Sequence, residues 1–213
     1  MVEIFSPNML KTYESCPKKY YFKYIKGLSM PINEDIFLKG KKIHAIASYY
    51  LKGENIDLME KSLSTAEFQV WQYLKNLKYF NYKCINTEYN LSVKIGNNFF
   101  GGRLDALVKN NDIYFILDYK TGSIPKNADL DFQTIIYLLA VKDFYKSENI
   151  IFVYLDLKNK QELQIKLNSE LIKIYYDKIS NIQNKINMKE YIANKKNCIH
   201  CEYGKICYEK ILN

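Results

Sequence analysis

The sequence predicts an α/β or α+β core that follows a helical N-terminal addition. Three observations predict it. Residues 7–80 carry helical apolar spacing and helix start signals, and precede any strand. Residues 83–121 hold three alternating or apolar runs parted by short Gly and Asn turns. Residues 130–145 read as a helix and are followed by two more strand-like runs and a long polar helix.

In chain order, Ser6 is a helix cap and Pro7 takes the first helical position, where its missing N–H is not needed. This helix is interrupted near Pro17, and its lysines and aromatics continue towards Gly27. "IFLKGKKIHAIASYYLKG" is a second helix ending near Gly53, and "IDLMEKSLSTAEFQVWQYLKNLKYF" a third. "KCINTEYNLSVKI" alternates and ends in a Gly96-Asn97-Asn98 turn. "FFGGRLDALV" and "IYFILDYKT" make a hairpin about a two-residue Asn110-Asn111 turn, which Asn tolerates. "LDFQTIIYLLAVKDFY" reads as an amphipathic helix. "NIIFVYLDL" and "QELQIKL" are strands joined by Lys158-Asn159-Lys160, and a polar helix from Asn168 leads to a cysteine cluster.

The length suits one domain, 1–213, with a helical part (1–82), a sheet core (83–167) and a C-terminal helix with a cluster-binding segment (168–213). With 48% hydrophobic and 25% charged residues the chain is globular. No apolar run approaches a membrane span. The start "MVEIFSPNML" lacks a basic-then-apolar leader, so the cytoplasm is the expected location. The net charge of +8 suits a polyanion such as nucleic acid, and equally a basic protein of lysine-rich composition. Of the 31 basic residues, all but Arg103 are lysines. One Arg in such a chain points to a planar, two-pronged donor at that place.

Two acids and a lysine sit inside the hairpin. Asp118 and Lys120 are two apart and share a face. About an Asn110-Asn111 turn, Asp105 opposes Ile116, which makes Asp105 and Asp118 diagonal neighbours about 7–8 Å apart at the backbone. An even register slip keeps that arrangement and an odd one destroys it. Two half-buried carboxylates repel unless one stays protonated or a cation joins them. Mg²⁺ or Mn²⁺ suits such oxygen ligands, and Lys120 beside it can orient a water or stabilise developing charge. The alternative is a surface hairpin with a solvated charged face.

Asp105 followed by Asp118-Tyr119-Lys120 resembles the PD-(D/E)XK nuclease superfamily, with Leu104 in place of the proline that names it. "GGRLD" looks like the Gly-x-x-Asp of its RecB-type branch, "GKKIH" like its Gly-x-x-x-His and "QTIIY" like its Gln-x-x-x-Tyr. Glu88 resembles a further recurrent acid of that branch. The resemblance spans Ser6 to Cys207. It implies a restriction-endonuclease-like core, a central mixed sheet flanked by helices. It also implies that His44, Asp105, Asp118 and the Tyr119 carbonyl hold Mg²⁺ or Mn²⁺. Asp105, Asp118 and Lys120 are then catalytic, and Gln133 and Tyr137 contact the DNA backbone or the Lys120 region. Arg103 is a candidate phosphate or carboxylate clamp. Without the resemblance, His44 reads as a core histidine, Tyr137 as helix packing, and Glu88 as a surface acid.

"CIHCEYGKIC" is C-x2-C-x5-C, supplying Cys198, Cys201 and Cys207, and Cys16 is the candidate fourth ligand. Four thiolates suit structural zinc or an iron–sulfur cluster. The resemblance extends to the iron–sulfur subset of the branch, where such cysteines bind a 4Fe–4S cluster and join the chain ends. His200, between two of the ligands, is not expected to serve, and Cys84 reads as a core thiol.

The expected activity is a Mg/Mn-dependent deoxyribonuclease. The resemblance implies exonuclease action, with single-stranded ends the favoured substrate because aromatic, lysine-rich helices suit stacking and backbone tracking. The setting is DNA repair beside a separate helicase, or CRISPR spacer acquisition beside integration proteins. The rival is a non-catalytic DNA-binding module with a structural cluster.

Overall fold

The computed structural model describes residues 4–30, 35–199 and 201–209; His200 lies outside them. A two-residue strand β1 (Ile4–Phe5) opens the chain. Helix α1 (Pro7–Ser15) follows, its first turn capped by the Ser6 hydroxyl, which accepts from the Met9 N–H. Pro17 forces the residue before it into extended backbone, and Cys16 sits there with φ −161° and ψ 108°. Cys16 therefore forms the joint between α1 and the short α2 (Pro17–Tyr20). A π-helical turn (Tyr21–Ile25) ends near Gly27, which takes φ 64°.

Helix α3 (Asp35–Leu51) carries His44 and stops before Gly53, at φ 77°. The expected third helix is two. Helix α4 (Asp57–Lys61) breaks at Ser62, and α5 (Thr65–Lys75) starts from a capping box in which Ser64 and Glu67 bond each other's backbone. That box satisfies orphan N–H groups and so favours a new start over continuation. A 3₁₀ turn (Lys78–Asn81) leads into the sheet.

Strands β2 (Lys83–Ile95), β3 (Asn98–Asn110) and β4 (Ile113–Lys120) form an antiparallel meander. The second turn is Asn111-Asp112, one residue later than expected, with Asn111 at φ 51°. Asn110 pairs with Ile113 and Ala106 with Leu117, so the register differs by two from the expected one. An even shift leaves every side chain on its face. Asp105 now falls opposite Asp118, one step beyond the last pair, rather than diagonal to it.

Helix α6 (Phe132–Tyr145) crosses from β4 to the parallel β5 (Ile150–Asp156), and β6 (Gln161–Lys166) closes the far edge antiparallel. The mixed sheet runs β6-β5-β4-β3-β2, with β1 parallel to β3 at Phe99 and Phe100. Helix α6 is not amphipathic as expected: Thr134 through Val141 are all buried. It lies between the sheet and α1, so this stretch shows no face to water, while Asp143 and Phe144 near its C-terminal end are exposed. The amphipathic α7 (Ser169–Asn187), capped by Asn168, covers the same layer, and a short α8 (Gly204–Glu209) ends the described chain. One core lies under α1, α6 and α7 and contains Leu107, Ile116 and Phe152. The other lies under α3 and α5 and contains Ala106, Leu117 and Val153. Among the described residues no helix is long and apolar enough to cross a membrane.

Candidate active site

Three acids form a row across the sheet. Thr87 pairs with Ala106 and Tyr89 with Leu104, which sets Glu88 opposite Asp105, and Asp118 follows on β4. The strand alternation fails at this row. Leu104 belongs to one core layer and Ala106, two residues on, to the other. In β2, Thr87 bonds Ser48 of α3 at 2.6 Å while Tyr89 packs against the opposite layer. Glu88 between them adopts φ 48°, a left-handed backbone that is costly for a residue without glycine's freedom. The two switches turn Glu88 and Asp105 towards α3.

There they meet His44. Its Nδ1 lies 3.2 Å from Asp105 Oδ1 and 3.9 Å from Glu88 Oε1. Its Nε2 lies 3.1 Å from the Tyr119 carbonyl oxygen. Gly40, one helical turn earlier, packs beside Thr121, where a Cβ would lie 3.4 Å from the threonine side chain, an ordinary contact. Burial lowers the His44 pKa, but the nearby Asp105, Glu88 and Asp118 carboxylates outweigh it and hold the imidazole above its ordinary value. Asp105 also accepts the Tyr119 N–H through Oδ2 at 2.8 Å.

Asp118 is buried and faces α6. Desolvation first, then the Asp105 charge, push its pKa up to about 6, against the pull of Lys120 and His44. Lys120 Nζ stands 2.8 Å from Asp118 Oδ2, and Gln133 joins the two. The Gln133 amide nitrogen donates to Asp118 Oδ1 and its oxygen accepts from Lys120 Nζ at 2.9 Å. Asp118 Oδ2 is sealed from solvent, with the Lys120 ammonium against it. Lys120 also lies 5.3 Å above the Tyr154 ring.

The Gly-x-x-Asp segment is built around Tyr137. Its hydroxyl donates to the Arg103 carbonyl at 2.8 Å, and a Cβ on Gly102 would sit 2.9 Å from that hydroxyl. Tyr137 is buried and stacks with Phe152, so its role is to hold β3 rather than to reach outward. Arg103 reaches back across the strands, with Nε 3.0 Å from Glu88 Oε2 and its side chain two-thirds exposed.

The grouping differs in one respect from the expected His44, Asp105, Asp118 and Tyr119. His44, Glu88 and Asp105 each offer a ligand atom within 4.8 Å of the others, with the Tyr119 carbonyl against His44. Asp118 is instead held by Lys120 at Oδ2 and by Gln133 at Oδ1. Carboxylate and carbonyl oxygens with one imidazole fit a hard divalent cation. Asp131 and Tyr154 escaped the sequence reading. Asp131 caps α6 by accepting the Gln133 N–H, and an Asp just before an apolar helical run is a readable cap signal. Nothing local marks Tyr154.

At the opposite end of α1, Cys16, Cys198, Cys201 and Cys207 line one cavity of about 320 Å³. Cys16 is buried, and its sulfur accepts the Asn194 N–H at 3.4 Å. Burial, then the neighbouring Cys198, Cys16 and Cys201, raise the Cys207 thiol pKa. Lys18 and Lys19 border the cavity.

The sequence profile of the PD-(D/E)XK nuclease superfamily matches residues 4–83 and 58–208. The chain is 22% identical over 208 residues to the CRISPR-associated exonuclease Cas4 of Francisella tularensis subsp. novicida (strain U112), covering 95% of this chain and 93% of that protein. A crystal structure of a protein from Eubacterium rectale, provisionally described as an exonuclease, superposes with a TM-score of 0.59 at 12% identity, over 94% of this chain and 88% of that one. The mixed sheet flanked by helices matches the restriction-endonuclease-like fold.

Proposed function

The chain belongs to the PD-(D/E)XK nuclease superfamily, and on that premise we propose a Mg²⁺- or Mn²⁺-dependent deoxyribonuclease that trims single-stranded DNA ends. The observation that carries this reading is the His44–Glu88–Asp105 cluster beside the buried Asp118–Lys120 pair. His44, Glu88, Asp105 and the Tyr119 carbonyl would hold the ion, and Asp118, held by Lys120 and Gln133, would supply a further carboxylate oxygen. A bound ion there supplies an acidified water and draws charge from the scissile phosphate.

The chain's own groups do the rest. Lys120, fixed by Asp118 and Gln133, orients the attacking water and meets negative charge as it develops on the phosphate. Gln133 serves here as the holder of Lys120 and Asp118. Tyr137 sets the backbone that presents Asp105. Arg103 clamps Glu88, and its exposed guanidinium edge is placed for a substrate phosphate.

The four cysteines around this cavity suit a 4Fe–4S cluster, the group that the resemblance to iron–sulfur nucleases implies, and the N–H···S contact and bordering lysines are compatible with its charge. Likeness to a CRISPR-associated exonuclease over nearly the whole chain favours spacer acquisition, beside integration proteins, over service to a repair helicase. Either setting places the protein in the cytoplasm.

A DNA-binding module with an inert site is the reading to exclude. Titration calorimetry with Mn²⁺ separates the two. The nuclease binds the ion and loses it in Asp105→Ala. A binder shows no Mn²⁺ site that depends on Asp105.

A further inference from the structure

A second polar cavity, of about 300 Å³, lies outside the catalytic centre on the exposed side of α1. Lys11, Thr12 and Ser15 line it from α1, and Lys19, Lys23 and Tyr24 from α2 and the π-helical turn. One end is tied to the active centre. Lys11 Nζ lies 2.9 Å from Asp131 Oδ1, the same oxygen that accepts the Gln133 N–H at 2.9 Å. Gln133 in turn holds Asp118 and Lys120. The other end is aromatic. Lys23 lies 5.4 Å over the Tyr24 ring, and both line the cavity. Asp131 and Glu202 pair with Lys11 and Lys19, which leaves the face with a cationic surplus.

We propose that this face is the track along which a single DNA strand reaches the active centre. Phosphates rest in turn on Lys11, Lys19 and Lys23, and a base stacks on Tyr24. Ammonium and hydroxyl donors suit phosphodiester oxygens, which fix position without reading sequence. A tyrosine ring flanked by lysines suits an unpaired base and the phosphates on either side of it. A duplex keeps its base faces stacked inside and has none to offer Tyr24. The track rests on the nuclease reading above and says where that enzyme's substrate lies.

Fluorescence anisotropy of a labelled single-stranded oligonucleotide tests it, using cluster-loaded, full-length protein with Ca²⁺ in place of Mn²⁺ to prevent cutting. Lys19→Gln with Lys23→Gln should weaken binding about tenfold and flatten the salt dependence by about 0.7 in slope for each lost contact. Tyr24→Leu should weaken binding at least about fivefold with the slope unchanged, and Tyr24→Phe should restore it. Lys61→Gln with Lys166→Gln, the same charge removed from α4 and β6, should bind as the unaltered protein does. Lys19→Arg with Lys23→Arg controls for folding and should keep both affinity and slope. Unaltered binding by the Lys19 and Lys23 glutamine variant, or equal weakening by the Lys61 and Lys166 pair, overturns the track. A small chromogenic phosphodiester that does not reach the groove keeps the two readings apart. Its hydrolysis should survive in Tyr24→Leu and be lost in Asp118→Ala. Hydrolysis that survives in Asp118→Ala overturns the nuclease reading and leaves the track to the binding data.

Discussion

Asp105 and Tyr119 are joined across the β3–β4 hairpin by a 2.8 Å hydrogen bond from the Tyr119 N–H to Asp105 Oδ2. The Tyr119 carbonyl is met by His44 Nε2 at 3.1 Å. Both polar groups of that residue's backbone therefore serve the site. Its ring turns into the other core, edge-on to His44 and against Phe80.

The Tyr119 hydroxyl is buried and finds no partner among the described residues. A buried, unpaired hydroxyl is destabilising, by about 1 kcal/mol or more. Tyr119→Phe should leave stability unchanged or raise it by about 1 kcal/mol, with nuclease activity retained. Urea melts and a cleavage assay on the same preparation check it. Loss of activity would mean that the hydroxyl, not the carbonyl, does the work.

Stability of the metal-free protein should fall as pH rises towards neutrality. Asp118 has a folded pKa raised to about 6, so the folded state binds more protons than the unfolded one between the usual carboxyl range and that value. Stability therefore drops as pH rises through this window. The raised His44 pKa acts in the same sense: its contribution is full below the ordinary imidazole value and lost as pH rises through the folded one. Thermal melts in chelator from mildly acid to mildly alkaline pH should show the decline. Asp118→Asn should flatten it and melt higher than the unaltered protein above pH 7.

Gly102→Ala should cost about 1–3 kcal/mol, because its Cβ displaces the Tyr137 hydroxyl from the Arg103 carbonyl. Tyr137→Phe alone removes the hydroxyl and should relieve part of that cost in the double variant. A double-mutant cycle in urea measures the coupling. Additive costs would show that the two positions do not meet.

Cys16 sits at the α1–α2 joint and shares its cavity with the three C-terminal cysteines. Cys16→Ser should strip visible absorbance from anaerobically purified protein and lower its melting temperature by several degrees, since a cross-link closing a long loop restrains the unfolded chain. Full absorbance in the variant would remove Cys16 from the ligand set.

The hairpin that carries Asp118 and Lys120 was legible because strand alternation survives an even shift in register. The turn moved from Asn110-Asn111 to Asn111-Asp112, and a shift of two keeps Asp118 on its face, but the break in alternation between Leu104 and Ala106 turns Asp105 towards α3. The Ser64–Glu67 capping box, which divides the third helix, stood in the sequence as a signal and was outweighed by the apolar period around it. Burial of α6 on nearly every side was not legible, because a helix between two layers has no polar face for a period to reveal. Least legible was Glu88. Its left-handed backbone breaks the alternation with no glycine or asparagine to announce it, and only the switch between Leu104 and Ala106 opposite shows why it faces His44.

The most direct test of the account is degradation of end-labelled single-stranded DNA by cluster-loaded protein in Mn²⁺, beside Asp118→Ala. The account predicts progressive shortening of the label that stops in chelator and falls about a hundredfold or more in the variant. No cleavage by the loaded protein, or equal cleavage by the two, would contradict it.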